Sequence, residues 1–340
     1  MINHLYETDF ELFEYPFDGD VSKYVMELRK SLQKCQDLTP LRLIILVKSA
    51  LQHFDQRYII RRTWGYEKRF SDVEIRTVFL LGVGNDPKIQ AKIEREYLLY
   101  QDIIQVNFTD TYYNNKIERE YLLYQDIIQV NFTDTYYNNT IKTMIGFKWI
   151  VTKCPHAKFY LFSDDDMYLS IKNLLRYIRH PTKYPDYLSD VKSPMNEMLN
   201  RLRRQLVELD LPDDVRFYSG YVKQATPFRN VFSKFHMPLE EYKYDTYPLY
   251  ATAGAYILSR EALVDMYYTS LYTKHFRFDD VYLGILARKT NIMPYHSNYF
   301  NLFKVKYTPD NYKYLISSHG YQDPQELLKV WTEQKEIGNA

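Results

Sequence analysis

Residues 157–168 read AKFYLFSDDDMY, an apolar run with the pattern of a buried strand that ends abruptly in three carboxylates, Asp164, Asp165 and Asp166. Three adjacent negative charges at a strand end repel one another unless a cation or solvent compensates them. Side chains alternate along an extended segment, so Asp164 and Asp166 are expected on one face and Asp165 on the other. Two carboxylates on one face make a grip for a hard divalent ion. Magnesium and manganese are usually held by one or two carboxylates together with substrate phosphate oxygens, which points to a nucleotide diphosphate and away from a closed metal cage. The competing reading is an exposed acidic turn in which Asp166 or Ser170 caps the following helix.

Outward from this junction, strands and helices alternate. LRLIILVKS (41–49) and RTVFLLGV (76–83) are short β-rich apolar runs, with the amphipathic segment RYIIRRTWG between them. Pro87 marks the start of a helix through KIQAKIEREYLLY, and DIIQVNF reads as the next strand. TIKTMIGFKWIVTKC (140–154) has helical spacing and leads into the strand that carries the aspartates. Strands alternating with helices, with ligands at a strand's carboxyl end, predict an open α/β sheet. Residues 180–215 are charged and proline-punctuated, with a helix expected at NEMLNRLRRQLVEL, and read as a surface excursion. Downstream, YPLYATAGAYILSREALVDMYY reads as a small-residue turn, an apolar strand and a helix, and FRFDDVYLGILARKTNI places Asp279 and Asp280 before another helix.

Composition bounds the class. The chain has 340 residues, enough to bury a substantial core, and its 44 basic and 43 acidic residues give no global charge that calls for nucleic acid or an anionic membrane. Its 35 tyrosines offer flat faces with polar tips that suit sugar rings, although core packing accounts for most such residues. No stretch approaches the roughly 20 apolar residues that span a bilayer, and the start MINHLYETDFELFEY has no signal-peptide pattern. Residues 1–40 are therefore expected to be an N-terminal extension without a visible membrane anchor. Cys35 and Cys154 are too few for a zinc site, though a pair permits one disulfide. N-glycosylation triplets occur at Asn107, Asn131 and Asn138 and count only in a secretory protein.

The segment KIEREYLLYQDIIQVNFTDTYYNN occupies residues 92–115 and recurs unchanged at 116–139. Solenoids stack three or more diverged units, so two identical copies read as an in-frame duplication, recent or introduced in a gene model, and not as an architecture. The strand DIIQ can take its sheet position only once, so one copy should loop out or form an added helix and edge strand. An extra loop costs little closure entropy, roughly 0.6 kcal/mol per doubling, but exposed YLLY and DIIQVNF are aggregation-prone.

Taken in order, RRTWG (61–65), FLLG (79–82), YQDIIQVNFTDTYYNNTIKT (124–143), CPHAKFYLFSDDD (154–166), YPLYATAGAYILS (247–259) and DDVYLG (279–284) resemble the β-1,3-galactosyltransferase family, glycosyltransferase family 31. The resemblance runs from about Leu41 to about Trp331 and implies one GT-A-type domain over residues 41–335, containing the duplication: an open, mostly parallel sheet flanked by helices. It implies an inverting, metal-dependent hexosyltransferase that moves galactose from UDP-galactose to a glycan hydroxyl in β-1,3 linkage, with Mn2+ or Mg2+. An N-acetylglucosaminyl or N-acetylgalactosaminyl donor is the nearest alternative. A catalytically inert relative acting as a chaperone or binding protein would be expected to lack the aspartate pair or the base, and this chain keeps both. A Golgi membrane location on the lumenal side is also implied, although no anchor precedes the catalytic region.

The resemblance assigns roles residue by residue. Asp164 and Asp166 match the DxD metal positions, leaving Asp165 for the ribose or a backbone amide. His319, in LISSHGYQDPQELLKVW, is the candidate third metal ligand, with His296 as competitor. Inversion needs a base opposite the leaving group. Asp280 matches it, with Asp279 as the alternate, standing where glutamate is usual. A neighbouring carboxylate raises the base's pKa by repulsion; the competing reading is that Asp279 or Asp280 only caps the helix. Arg57, Arg61 and Trp64 fall in the R-x-x-x-R-x-T-W-G block, where guanidinium and indole groups suit donor phosphate, ribose or base, or alternatively a surface pair and a core residue. Gly254 lies where backbone would approach the donor sugar, and Tyr250 and Tyr256 either wall the site or pack. Cys154 lies in the family's C-P block and Cys35 just upstream of the first strand, and a disulfide between them is the expectation.

Overall fold

A computed structural model describes residues 41–71, 73–82, 86–105, 139–190 and 211–340. The N-terminal extension, the expected helix at 196–209, Cys35 and the glycosylation candidates Asn107, Asn131 and Asn138 lie outside the described residues. The first half of the sheet forms as the apolar runs predict: β1 (Leu43–Lys48), β2 (Ile75–Leu81), β3 (Ile103–Gln105) and β4 (Phe159–Asp164). They pair in parallel in the order β3-β2-β1-β4. All six residues of β1 are buried, as a strand covered on both faces requires.

Alternation along the strands divides the core into two layers. Leu43, Ile45 and Val47 of β1, with Phe159 and Leu161 of β4, join one apolar cluster with Ile59 and Ile60 of helix α1 (Phe54–Arg62) and with Ile93 and Tyr97 of helix α2 (Pro87–Tyr100). Ile44 and Leu46, with Tyr160 and Phe162, join the other, against Met144 and Phe147 of helix α3 (Asn139–Lys153). Each fully buried aliphatic side chain of this kind stabilises the fold by about 1.5–3 kcal/mol. The tyrosines go mainly to this work: Tyr160, Tyr168, Tyr177, Tyr218, Tyr256, Tyr312 and Tyr321 are among the largest fully buried side chains.

The helix starts follow local chemistry. Asp86 accepts a hydrogen bond from the Lys88 amide and Pro87 occupies the first turn of α2, where a missing N–H costs nothing. Helix α4 (Ile171–Arg179) is capped by Ser170, whose hydroxyl accepts from the Asn173 amide, so of the two capping candidates for that helix it is Ser170 and not Asp166 that acts. Copy one of the duplication supplies the second half of α2 and all of β3. Copy two, apart from Asn139 at the start of α3, lies outside the described residues.

The sheet continues with β7 (Tyr250–Ser259), antiparallel to β4, then β6 (Tyr218–Lys223), antiparallel to β7, and the short β8 (Tyr295–His296). The expected small-residue turn at YATAGA is instead part of β7, a ten-residue strand. Tyr250, Ala251 and Thr252 already pack as strand residues, and small side chains let neighbouring elements come close. Helix α5 (Arg260–Ser270), capped by Ser259, and helix α6 (Asp279–Lys289) cover the second face of the sheet. Gly284 of α6 is needed for that packing: a Cβ there would lie 2.7 Å from Cβ of Tyr250 and 2.8 Å from the Leu249 carbonyl oxygen. A second, three-stranded sheet holds β10 (Ser317–His319) between β5 (Met167–Leu169) and β9 (Phe300–Asn301), and helix α7 (Pro324–Glu336) packs on α1. The chain moves outward from β1 to β2 and β3 and then crosses to β4 on the opposite side of β1. This reversal opens a crevice beyond the carboxyl ends of β1 and β4, where ligands bind in open α/β sheets.

Candidate active site

The acidic triplet lies at that crevice. Strand β4 ends on Asp164, Asp165 and Asp166 form a turn, and β5 begins at Met167. Simple strand alternation therefore does not extend past Asp164, and the three carboxylates take three different partners. Asp164 stands opposite Lys48 in the β1–β4 register, with Lys48 Nζ 3.1 Å from its Oδ1. Asp165 is buried, with Oδ2 2.8 Å from Nδ1 of His53. Asp166 has Oδ2 3.2 Å from Nε2 of His319, the last residue of β10, while its Oδ1 is buried without a hydrogen-bond partner.

Lys48 also reaches across the crevice. Its Nζ is 2.8 Å from Oδ2 of Asp279, so a single buried ammonium touches carboxylates 115 positions apart in the chain. The Thr143 hydroxyl of α3 donates to the same Asp279 oxygen at 3.1 Å, and Lys142 donates to the Ser49 carbonyl at 3.0 Å, tying α3 to the end of β1. Asp279 and Asp280 occupy the first turn of α6, where the helix dipole favours negative charge. Asp280 accepts a hydrogen bond from the Val281 amide at 2.8 Å, so it has a capping contact at the same place where it would act as base.

These contacts separate the proton affinities of the acids. Burial opposes the charge on Asp279, but the Lys48 ammonium and its hydrogen bond hold the carboxyl below its usual range. Burial and the adjacent Asp279 charge push Asp280 up to about 7. Burial likewise pushes Asp164 up to about 6, against the pull of Lys48. Hydrogen bonds to Asp166 and Asp165 raise the pKa values of His319 and His53 respectively. Two adjacent carboxyls with opposed shifts are the arrangement that lets one stay ionised while its neighbour exchanges a proton near neutrality.

Gly254 lies in β7 beside the second sheet, where a Cβ would meet Sδ of Met167 at 3.2 Å and Cδ2 of His319 at 3.8 Å. A larger residue would press on the segment that carries Asp166 and His319. Tyr250 is buried close to Asp280, whose charge adds to burial in raising the phenol's pKa. His296 is engaged elsewhere, accepting from the Val222 amide at 3.1 Å and pairing with Asn298, and does not accompany Asp166.

Four expected donor contacts are corrected by their surroundings. Arg57 is fully buried, donates to the Ala50 and Leu51 carbonyls, and pairs with Glu96 at 2.7 Å. Arg61 pairs with the same Glu96 and makes a two-pronged contact with Asp102. Arg57 has all five of its N–H donors engaged and Arg61 three, and both tie α1 to copy one of the duplication. Trp64 is fully buried, and its indole N–H donates to the Met167 carbonyl at 3.1 Å behind the acidic turn. Tyr256 is fully buried and stacked on Phe162 with ring centroids 5.2 Å apart. Lys48, His53 and Thr143 were absent from the sequence reading. For Lys48 a signal existed: a lysine closing a wholly apolar strand, in a chain with several clustered carboxylates that need a counter-charge.

Among the described residues no set of three His, Cys, Asp or Glu side chains stands together as a metal cage. The unpartnered buried Oδ1 of Asp166, with Asp164 and His319 nearby, fits an ion that draws its remaining ligands from a substrate.

Comparison with known proteins gives the family. The family model described as Galactosyltransferase matches residues 55–118, 115–188 and 186–298. Its first two segments meet across residues 115–118, at the junction of the repeat copies, so each copy falls in a separate segment. Beta-1,3-galactosyltransferase brn of Drosophila melanogaster is 37% identical over 354 residues, covering 100% of this chain and 92% of that protein. Beta-1,3-galactosyltransferase 1 of Homo sapiens and of Mus musculus is 30% identical over 300 residues, covering 88% of this chain and 76% of theirs. With a family match over most of its length and relatives at this identity, the chain belongs to the galactosyltransferase family of glycosyltransferases.

Proposed function

We propose that this protein transfers galactose from UDP-galactose to a hydroxyl of a glycan acceptor in β-1,3 linkage, with inversion at the anomeric carbon and with a divalent ion. The observation that carries the reading is the meeting of the Asp164–Asp166 turn and the Asp279–Asp280 helix start at the carboxyl ends of the central strands β1 and β4, bridged by Lys48. The names of the relatives support the sugar and the linkage.

In this reading Asp280 accepts the proton of the acceptor hydroxyl, and the oxygen attacks the anomeric carbon as its bond to the diphosphate breaks. The electron pair of that bond leaves with UDP. Asp279 stays ionised beside Lys48 and keeps the Asp280 carboxylate basic. Asp164 and Asp166, with His319, would hold manganese or magnesium, whose chemistry is to neutralise charge on the departing diphosphate. Asp165, fixed by His53, remains the candidate for the ribose, and Gly254 for close approach of the sugar. A buried tyrosine wall at Tyr250 excludes water from the base. A disulfide between Cys35 and Cys154 and a place on the lumenal side of the Golgi membrane accompany the assignment. Among the described residues no helix is long and apolar enough to cross a membrane.

The test is donor turnover with UDP-galactose, UDP-GlcNAc and UDP-GalNAc, each with and without manganese, on the wild type and Asp166→Ala. Galactose transfer that needs manganese and drops at least 100-fold in Asp166→Ala is the expected outcome. Metal-independent turnover, or full activity in the variant, removes the metal assignment. Preference for another donor changes the sugar and leaves the rest standing.

A further inference from the structure

Lys48 touches carboxylates on both sides of the crevice, and nothing in the proposed chemistry requires a lysine to bind donor or acceptor. It sits at the last position of β1 and is 5% exposed. Its Nζ lies 3.1 Å from Asp164, 2.8 Å from Asp279 and 3.5 Å from the Ala253 carbonyl. An ammonium has three protons, and these three oxygens use them all. Lys48 therefore has no donor left for a phosphate while this arrangement persists. Its partners come from β4, β7 and α6, elements well separated in the chain.

We propose that Lys48 is a positioning residue for the transfer reaction: it links the donor-side carboxylate Asp164 to the acceptor-side pair Asp279–Asp280 and so fixes where the start of α6 stands relative to the donor. The proposal rests on the reading of Asp280 as base. Geometry supports it from a second direction, since Thr143 donates to the same Asp279 oxygen that Lys48 touches. Asp279 is thus clamped from β1 and α3 together, and Asp280, its neighbour in the first helical turn, is placed through it. Were Asp164 also to ligate a metal ion, the Lys48–Asp279 contact would still hold α6.

Three variants test this: Lys48→Met, Asp279→Asn and the pair combined, with Lys48→Arg as the conservative control. The measurements are kcat and KM for transfer, calorimetric affinity for UDP with manganese, and Tm. Expected for Lys48→Met is a fall in kcat of about 100-fold, the usual scale for misplacing a reacting group, with UDP affinity within about threefold of wild type. Lys48→Arg, which keeps the charge and two donors, should recover at least a tenth of wild-type kcat. The double variant should be no slower than the worse single one, because both act through one contact. Tm should show the same coupling: Lys48→Met leaves buried Asp279 without its counter-charge and loses roughly 5 °C or more, Asp279→Asn leaves Lys48 with Asp164 alone, and the double loses less than their sum. A tenfold or larger loss of UDP affinity in Lys48→Met with kcat intact would make Lys48 a donor ligand and overturn the proposal. Effects on kcat that multiply in the double variant, or additive losses in Tm, would overturn it as well. A wild type that transfers no sugar defeats the functional reading itself, and the Tm cycle then still decides whether Lys48 clamps Asp279.

Discussion

The ionisation of Asp280 should set the pH dependence of transfer. Its carboxyl is pushed up to about 7 by burial and by the charge on Asp279. Only the ionised form accepts a proton, so activity is present above this value and lost as pH falls through it. For a midpoint near 7, about 10% of the base is ionised at pH 6 and about 1% at pH 5, so kcat/KM should fall about tenfold per unit below pH 6.5. A base with an ordinary aspartate value would hold its rate down to about pH 5. Other charged groups bear on Asp280: Lys48 from β1 and Lys223 from β6 pull its value down, and Asp279 on its own helix pushes it up. The assay is initial rates from pH 5 to 8.5 at saturating manganese, with UDP affinity followed over the same range. That control matters because Asp164, pushed up to about 6, and His319 also change charge there. Asp279→Asn removes the adjacent negative charge and should lower the acid midpoint by on the order of one unit. A profile flat to pH 5, or a midpoint unmoved in Asp279→Asn, would refute Asp280 as the base. The same shift acts on stability with a defined sign: folded Asp280 holds its proton more tightly than unfolded Asp280. Its contribution is therefore fully present below about pH 4 and lost as pH rises through about 7.

Three structural consequences can be measured separately. Arg57→Ala leaves Glu96 buried with fewer partners and strips donors from the Ala50 and Leu51 carbonyls, so chemical denaturation should show a loss of about 3–5 kcal/mol; an unchanged stability with a tenfold higher donor KM would return Arg57 to the donor site. Gly284→Ala forces a methyl against Tyr250 and the Leu249 carbonyl, contacts of 2.7 and 2.8 Å to its Cβ, and should cost about 1–3 kcal/mol, with wild-type stability counting against the close packing of α6 on β7. Deleting residues 116–139 keeps Glu96, Asp102, α2 and β3 and restores Asn115 before Thr140, so a folded, active protein with a Tm within about 3 °C of wild type is expected; an insoluble or unfolded product would mean that copy two is structural.

The strands and the chemistry-bearing carboxylates were legible because their signals are local. An unbroken run such as LIILVK can be satisfied only by burial on both faces, and a strand that ends in three aspartates announces a charge problem wherever it sits. What local patterns could not distinguish was a side chain directed at a ligand from one directed at another part of the chain. Arg57 and Arg61 have the chemistry of phosphate binders, but Glu96 and Asp102, roughly 40 residues downstream, claim them first. Their carboxylates lie within copy one, which also explains why the duplicated segment is tied into the fold at all: it supplies the counter-charges as well as a helix and an edge strand. The strand at YATAGA was hidden for the opposite reason, since small residues read as a turn until the neighbours they admit are known, and those neighbours, Met167 and His319, come from other segments.

Lys48 joins both lessons. Its 231-residue separation from Asp279 puts the contact beyond any motif, and a lysine closing an apolar strand reads as a solvent-seeking end. Yet clustered carboxylates call for positive charge from within the chain, because leaving Asp279 buried and unpaired would cost several kcal/mol. The carboxylates recognised at once in the sequence therefore demanded a cation that no motif named, and the sheet provided it in register, with Lys48 directly opposite Asp164. The β1 terminus thus belongs to the candidate site for the same electrostatic reason that singles out the aspartates.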